Sequence, residues 1–443
     1  MTKGSWMLAV VVVAAAALAA LPGCRTEVIC PAGQTACGES CRSFQTDPAN
    51  CGACGHTCAA GEVCSAGSCS LCAASCTSAR GCVNEVCLPD LEVACYASGA
   101  VQALAGDLSP VGPPRAVDGG PVALAPLDGR TWVAHSYPSP TIRSVDLAGA
   151  VSPSLPLGGG DLEMVRAHAG AYGRPGALLY VSDVTPSTLV VVDPAAALAG
   201  AAGAVVDEVD LHRVAANGEN PKGIAFAGGK AYVALYGDAF LGDYAHGQAV
   251  SVVQLPTAAC ATPPCATVLK TISLQGVPGA ADAPGLPFPS GAVAVGSSVY
   301  VTLANLKLGG GYYGTPAGPG KLLVVDTAAG DALSVVQLPG CENPGAIAAA
   351  GTRLWIACGG TGAAMPVDLS GPVPVPAAPV VTGVTSGGIA ICNGMGYVTD
   401  QWSGTVVRFD PAGALPNLTM PGVCPVYPPG TGFAWAADVA CAP

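Results

Sequence analysis

"LLYVSDVTPSTLVVVDP", Leu178 to Pro194, reads as two short strands joined by a tight turn. Both runs are rich in Val and Leu, the turn carries Pro186 and Ser187, and Asp193 closes the second run. β-Branched and aromatic residues bounded by turn formers are the strand signature. The same shape recurs along the chain: a small-residue strand, a Gly turn, an aromatic-bearing strand, then a Val-rich strand. "PVALAPLDGRTWVAHS" (from Pro121), "PKGIAFAGGKAYVALYG" (from Pro221), "SGAVAVGSSVYVTLAN" (from Ser290), "NPGAIAAAGTRLWIACGG" (from Asn343) and "SGGIAICNGMGYVTDQW" (from Ser386) carry it alongside the quoted unit, which begins at Leu162. Their aromatic positions are Trp132, Tyr180, Tyr232, Tyr300, Trp355 and Tyr397, and Trp435 in "FAWAAD" reads as a seventh.

Most of these spacings, 38 to 55 residues, suit a four-stranded unit, while the 68 between Tyr232 and Tyr300 holds insertions. Units that cannot bury both faces alone stack on one another, and a closed ring protects their edges. The expectation is an all-β fold: a seven-bladed β-propeller over 91–443 with a shared closing blade. Seven equivalent units argue against a two-sheet sandwich. "AADVACAP" at the C-terminus is read as ending the second strand of the last unit. "GAVQALAGDLSPVGPPRAV", after Cys95, is read as that blade's third and fourth strands. On that placement Cys441 adjoins Cys95, and a Cys95–Cys441 disulfide is expected. Cys341 with Cys358 and Cys260 with Cys265 are expected to pair locally, which leaves Cys392 and Cys424 for each other.

The repeats resemble the YVTN/YncE-like propeller family, whose second blade strand reads L-Y-V-x-[ND]; "LLYVSD" and "GYVTD" carry the likeness. It implies the fold and says little of function.

Composition sets further bounds. Gly (60) and Pro (40) are abundant and charged residues are only 10%, yet the chain is 51% hydrophobic, which fits many short strands joined by turns. A net charge of −12 without any basic cluster excludes a nucleic-acid surface, which needs Lys and Arg against phosphates.

Lys3 and the uncharged run Met7–Leu21 read as an export signal over residues 1–23. "LPGC", Leu21 to Cys24, resembles the lipobox of bacterial lipoproteins, which implies a lipid on Cys24. Removing Cys24 from the 21 cysteines also leaves an even number for disulfides. Arg25 after the cysteine implies, by the same resemblance, a lipid-anchored place at the outer membrane, on its periplasmic or cell-surface side.

Residues 24–90 form a second segment, with twelve cysteines between Cys30 and Cys87. C-x₂-C with His56 nearby also fits zinc, but one histidine among dense cysteines in an oxidising compartment reads as a disulfide framework. Cys37–Cys69 resembles the Stig1-like cysteine-rich module, frequent in exported proteins of myxobacteria and relatives. A stiff stalk is the expected role.

No catalytic residue, metal set or cofactor site is expected. The five histidines fall in no metal or nucleophile spacing, and His135, at a loop mouth, is expected to be solvated. Asp193, Asp326, Asp368 and Asp410 recur after Val-rich strands and are read as turn residues. The informative asymmetry lies in the connections between second and third strands, which are long in units three and four. They bring Tyr236, Asp238, Phe240, Asp243, Tyr244, His246, Tyr312 and Tyr313 to one face as a candidate binding surface. The expected function is non-catalytic binding of a protein, peptide or glycan by a monomer held at the membrane through its lipid. A propeller enzyme (lyase, cyclase or quinoprotein-like) and a purely structural envelope component are the alternatives.

Overall fold

The computed structural model describes residues 30, 34–38, 40–45, 47, 49–58, 62–65, 67–71, 82–83, 86–117, 119–136, 139–158, 161–212, 219–237, 247–308, 314–426 and 434–443. An N-terminal unit runs to Val86, and a second unit, which takes in 77–80, runs from Cys87 to the end.

The N-terminal unit has too few apolar residues for a core and is stapled instead. Thr35–Cys37 pairs with Ser40–Arg42, and Glu62–Ser65 pairs with Ser68–Leu71. Disulfides join Cys30 to Cys41, Cys37 to Cys54, Cys51 to Cys64 and Cys58 to Cys69. The sulfurs of Cys51, Cys58 and Cys69 lie within 4.8 Å of one another. Each is already bonded, so that cluster offers no thiolate to zinc, and His56 Nδ1 sits 2.6 Å from the Cys51 carbonyl.

The second unit is a seven-bladed β-propeller. Its inner strands are Pro121–Leu127, Leu162–His168, Pro221–Ala227, Pro289–Val295, Pro344–Ala350, Ser386–Cys392 and Ala436–Cys441, for blades 1 to 7 in order. Every blade is an antiparallel meander, and blade 5 has its outer strand broken into Val375–Pro376 and Val380–Val381. Third strands such as Thr188–Val192 are buried on both faces because a neighbouring blade covers each side. The six aromatic positions of the second strands, Trp132 to Tyr397, are all buried between blades. Tyr232 donates to Asp331 at 2.5 Å and Tyr397 to the Gly106 carbonyl at 3.1 Å, so their hydroxyls are satisfied. His135 ends its strand fully buried against Gly119, so it is not the solvated loop residue expected.

The glycine early in the blade 3 inner strand has a steric cause. A Cβ on Gly223 would lie 2.3 Å from the Ser290 carbonyl oxygen of the next blade. A register shift falls at the same place, between Pro221 and Ile224, so the strand bulges where inner strands crowd around the axis. The recurring aspartates cap turns. Asp193 accepts from Ala195 and Ala196, Asp326 from Ala328, Asp368 from Ser370 and Asp410 from Ala412.

Ring closure differs from the expectation. The C-terminus supplies only the inner strand of blade 7, Ala436–Cys441. The N-terminal segments Leu91–Cys95, Ala100–Leu104 and Arg115–Ala116 supply the other three. Trp435 therefore precedes an inner strand and is not a seventh second-strand aromatic.

The same shift corrects two disulfides. Cys95 stands opposite Ala436 and Cys441 opposite Leu91, so Cys95 and Cys441 occupy opposite ends of the pair, about 16 Å apart at strand rise. Bridging needs Cα atoms within about 7 Å. Cys95 instead joins Cys424 across 5.1 Å, and Cys392 joins Cys441 across 5.4 Å. Cys260–Cys265 and Cys341–Cys358 are bonded.

Candidate ligand-binding channel

The inner strands of all seven blades surround a cavity of about 1000 Å³ on the propeller axis. Its wall is uneven. Blades 4 to 6 line it mainly with small or apolar residues, including Gly291, Ala292, Ala346, Ala348 and Gly387. Charge concentrates on blades 2 and 3, where one inner strand, bulged between Leu162 and Met164, gives Glu163 and Arg166 and the next gives Lys222. Asp438 of blade 7 completes the set.

The polar groups form two tiers. Near the mouth, Lys222 Nζ lies 3.5 Å from Glu163 and 4.6 Å from the centre of the Tyr236 ring. Asp161 accepts from Ser136 Oγ at 2.9 Å. Three residues further along the strand, about 10 Å deeper, lies Arg166. Asp438 stands at the register level of Met164, between Glu163 and Arg166, and its carboxylate accepts from the backbone N–H of Leu124 at 3.0 Å and of Val439 at 2.9 Å. Burial pushes the Asp438 carboxyl up, opposed first by the Arg166 guanidinium and then by those two N–H groups. Burial pulls the Arg166 guanidinium down, opposed by Asp438. The two groups stabilise each other's charged forms across the lumen.

Aromatic rings line the other side of the mouth. Tyr96 and Trp435 have centroids 4.5 Å apart, and Trp402 lies 6.2 Å beyond Trp435 in a stacked arrangement. The Tyr96 N–H donates to the Trp435 carbonyl at 2.9 Å, tying the stack to the closing blade. Behind Tyr96 lies Gly120, where a Cβ would come within 2.4 Å of the ring. Trp402 is 40% exposed. Burial raises the Tyr96 phenol, with further contributions from the charges of Asp161 and then Glu163.

Of the eight candidate surface residues, Tyr236 belongs to this mouth, where its ring also packs on Phe288 at 5.0 Å. Asp238, Phe240, Asp243, Tyr244, His246, Tyr312 and Tyr313 lie outside the described residues, as does Cys24. The described ends of the long connections do meet. Tyr236, Leu286, Phe288, Ala304 and Leu306 form one small apolar cluster, and Leu306–Lys307 pairs with Thr315–Pro316. Sequence reasoning missed Tyr96, Trp402, Trp435 and the charged tiers. The signal available in "LEMVRAH" was the presence of two charged residues, Glu163 and Arg166, in a strand the repeat places innermost; the bulge that turns both to the channel is not legible there.

No protein-family model matches the chain, and neither does any curated protein sequence. Solved structures are similar in fold. Hydrazine synthase of Kuenenia stuttgartiensis matches with a TM-score of 0.51 at 15% identity, over 71% of this chain and 90% of that one. A candidate 6-phosphogluconolactonase of Bacteroides fragilis matches with a TM-score of 0.54 at 11% identity, over 79% of this chain and 96% of that one. Virginiamycin B lyase of Staphylococcus aureus matches with a TM-score of 0.46 at 12% identity, over 68% of this chain and 84% of that one. At such identities the likeness concerns the propeller and carries no activity across.

Proposed function

We propose that this chain is a ligand-binding protein of the cell envelope, exported, held to the outer membrane by a lipid on Cys24, with a Stig1-like module preceding the propeller in sequence. One observation carries the binding reading: a stack of Tyr96, Trp435 and Trp402 faces the charged tiers of blades 2 and 3 across an open cavity. Pockets that combine aromatic walls with a few converging polar groups are the usual form of a ligand site. Anchoring is supported by the "LPGC" stretch and by the odd cysteine count. Among the described residues no helix is long and apolar enough to cross a membrane.

Probing glycan and peptide arrays with the wild-type protein and with Trp402→Ala tests the binding reading. Binding that depends on Trp402 is the expected result, and none on either array would refute it. Mass spectrometry of protein from the membrane fraction tests the anchor, with acyl mass on an N-terminal Cys24 as the expected outcome.

A second reading is a propeller enzyme. It is favoured by a half-buried channel carboxyl, Asp438, that desolvation pushes toward its protonated form against the opposing charge of Arg166. Turnover of a bound ligand that Asp438→Asn abolishes, with binding retained, would establish it.

A further inference from the structure

We propose that Arg166 receives the free C-terminal carboxylate of a peptide with apolar terminal residues that enters the channel from its mouth. This rests on the reading of the channel as a ligand site and names the chemistry it takes.

The place of Arg166 in the ring is the first ground. It stands opposite Tyr180, at the level where every second strand but the closing blade's carries its aromatic. At the same level the other six inner strands carry Ala125, Ala225, Val293, Ala348, Ala390 and Ala440. Against those small side chains a single guanidinium lines the cavity.

Unmet donors are the second ground. A guanidinium has five N–H groups in a rigid fork. Arg166 uses one, from Nη1 to the carbonyl of its own neighbour Val165 at 3.2 Å. Among the described residues it has no other hydrogen bond and no ion pair. The acidic groups of the wall already have donors. Asp438 takes the N–H groups of Leu124 and Val439, Asp161 takes the Ser136 hydroxyl, and Lys222 stands beside Glu163. What the wall lacks is an acceptor, and it lacks it at Arg166. Burial pulls the guanidinium down, and a carboxylate held by two parallel N–H···O bonds would offset that.

The rest of the wall is the third ground. On blades 5 and 6 it is apolar, where Ala346, Ala348, Ile389 and Ile391 offer room and surface for a hydrophobic side chain. The rim carries uncharged hydrogen-bonding residues where inner strands begin, namely Asn220, Ser290, Asn343 and Thr385. These suit the amides of an extended chain, which both donate and accept. A fatty acid would leave that rim unused, and a polyanion would set further negative charge beside Asp161, Glu163 and Asp438. A cavity of about 1000 Å³ is at the upper end for a ligand pocket, which leaves room for more than one residue.

The test is an array of hexapeptides ending in Ala, Val, Leu or Phe, each displayed with a free C-terminus and as its amide, probed with the full-length protein. Calorimetric titration of the tightest binders, beside octanoate and hexagalacturonate, gives the affinities. Expected is a free acid bound about tenfold or more tightly than its amide, a preference that Arg166→Met abolishes and Arg166→Lys keeps in part. The comparison of acid with amide is made on the wild-type protein and does not depend on how the variants fold. Acid and amide bound alike would overturn the carboxylate and leave the channel standing as a site. An acid preference undiminished in folded Arg166→Met overturns the role of Arg166. Arg166-dependent binding of octanoate or hexagalacturonate, with no peptide bound, overturns the peptide and leaves Arg166 as a carboxylate site. No binding of peptides, octanoate, hexagalacturonate or any arrayed glycan overturns both the proposal and the reading of the channel.

Discussion

The Cys95–Cys424 disulfide and the Cys341–Cys358 disulfide are the same device with different loop lengths. Each ties the last residue of a second strand to the segment just before the adjoining inner strand, since Cys95 stands opposite Ala436 and Cys358 opposite Pro344. Their Cα separations are 5.1 and 5.0 Å, and all four cysteines are buried. Replacing either pair by alanines removes two buried sulfurs from similar surroundings, so the packing loss nearly cancels in the comparison. What differs is the loop closed, 329 residues against 17. In the chain-entropy account the cross-link restricts the unfolded state by a term that grows as 1.5RT ln n. The two disulfides are then worth about 6 and about 3 kcal/mol, a difference of about 3 kcal/mol. Equilibrium unfolding in guanidinium under non-reducing conditions measures it. Cys95→Ala/Cys424→Ala should lose about 3 kcal/mol more than Cys341→Ala/Cys358→Ala. Equal losses, or the reverse order, would refute the view that the long disulfide acts by holding the ring's ends together in the unfolded chain.

Three further outcomes follow from buried contacts. Asp183 is almost fully buried, and burial, reinforced by the charges of Glu208 and Asp161, raises its carboxyl to about 7. A folded-state value above the usual 3.9 or so means that the folded state favours the protonated form. Its contribution is therefore complete below about pH 4 and is lost as pH rises through about 7, by about 4 kcal/mol in all. Asp183→Asn should raise the Tm at pH 8, leave it nearly unchanged at pH 4, and flatten the profile between; an unaltered profile counts against the assignment. Arg115 meets the buried Glu92 carboxylate at 2.7 Å, so Arg115→Met should cost about 3–5 kcal/mol in denaturant unfolding, much of it recovered by Glu92→Gln in the double variant. Gly120→Ala should push the Tyr96 ring off its seat, costing about 1–3 kcal/mol and changing the near-ultraviolet circular dichroism of the Trp435 stack, while far-ultraviolet signals persist.

The blade architecture was legible in the chain because it is a local property. A second strand such as Leu178–Asp183 and the third strand after it are adjacent in sequence, pair through a short turn, and bury an aromatic at a fixed offset, so each unit shows itself in a few dozen residues. The capping aspartates were legible for the same reason, each bonding backbone two or three residues on. Ring closure is non-local. Whether "LEVAC" is a second strand or a lead-in depends on its pairing with Ala436–Cys441, at the far end of the chain, and a misplacement by one strand moved Cys95 to the wrong partner. A cue did exist in the likeness of "LEVAC" to "RLWIAC", both ending a second strand in cysteine. The channel mouth is the least local feature of all. Tyr96, Trp402 and Trp435 come from a blade built by both termini and from its neighbour. Glu163, Arg166 and Lys222 meet them only because seven inner strands converge on one axis. The repeat determined that there would be an axis; the closure of the ring decided which side chains face one another across it, because strand pairing is written in neighbouring residues and convergence is not.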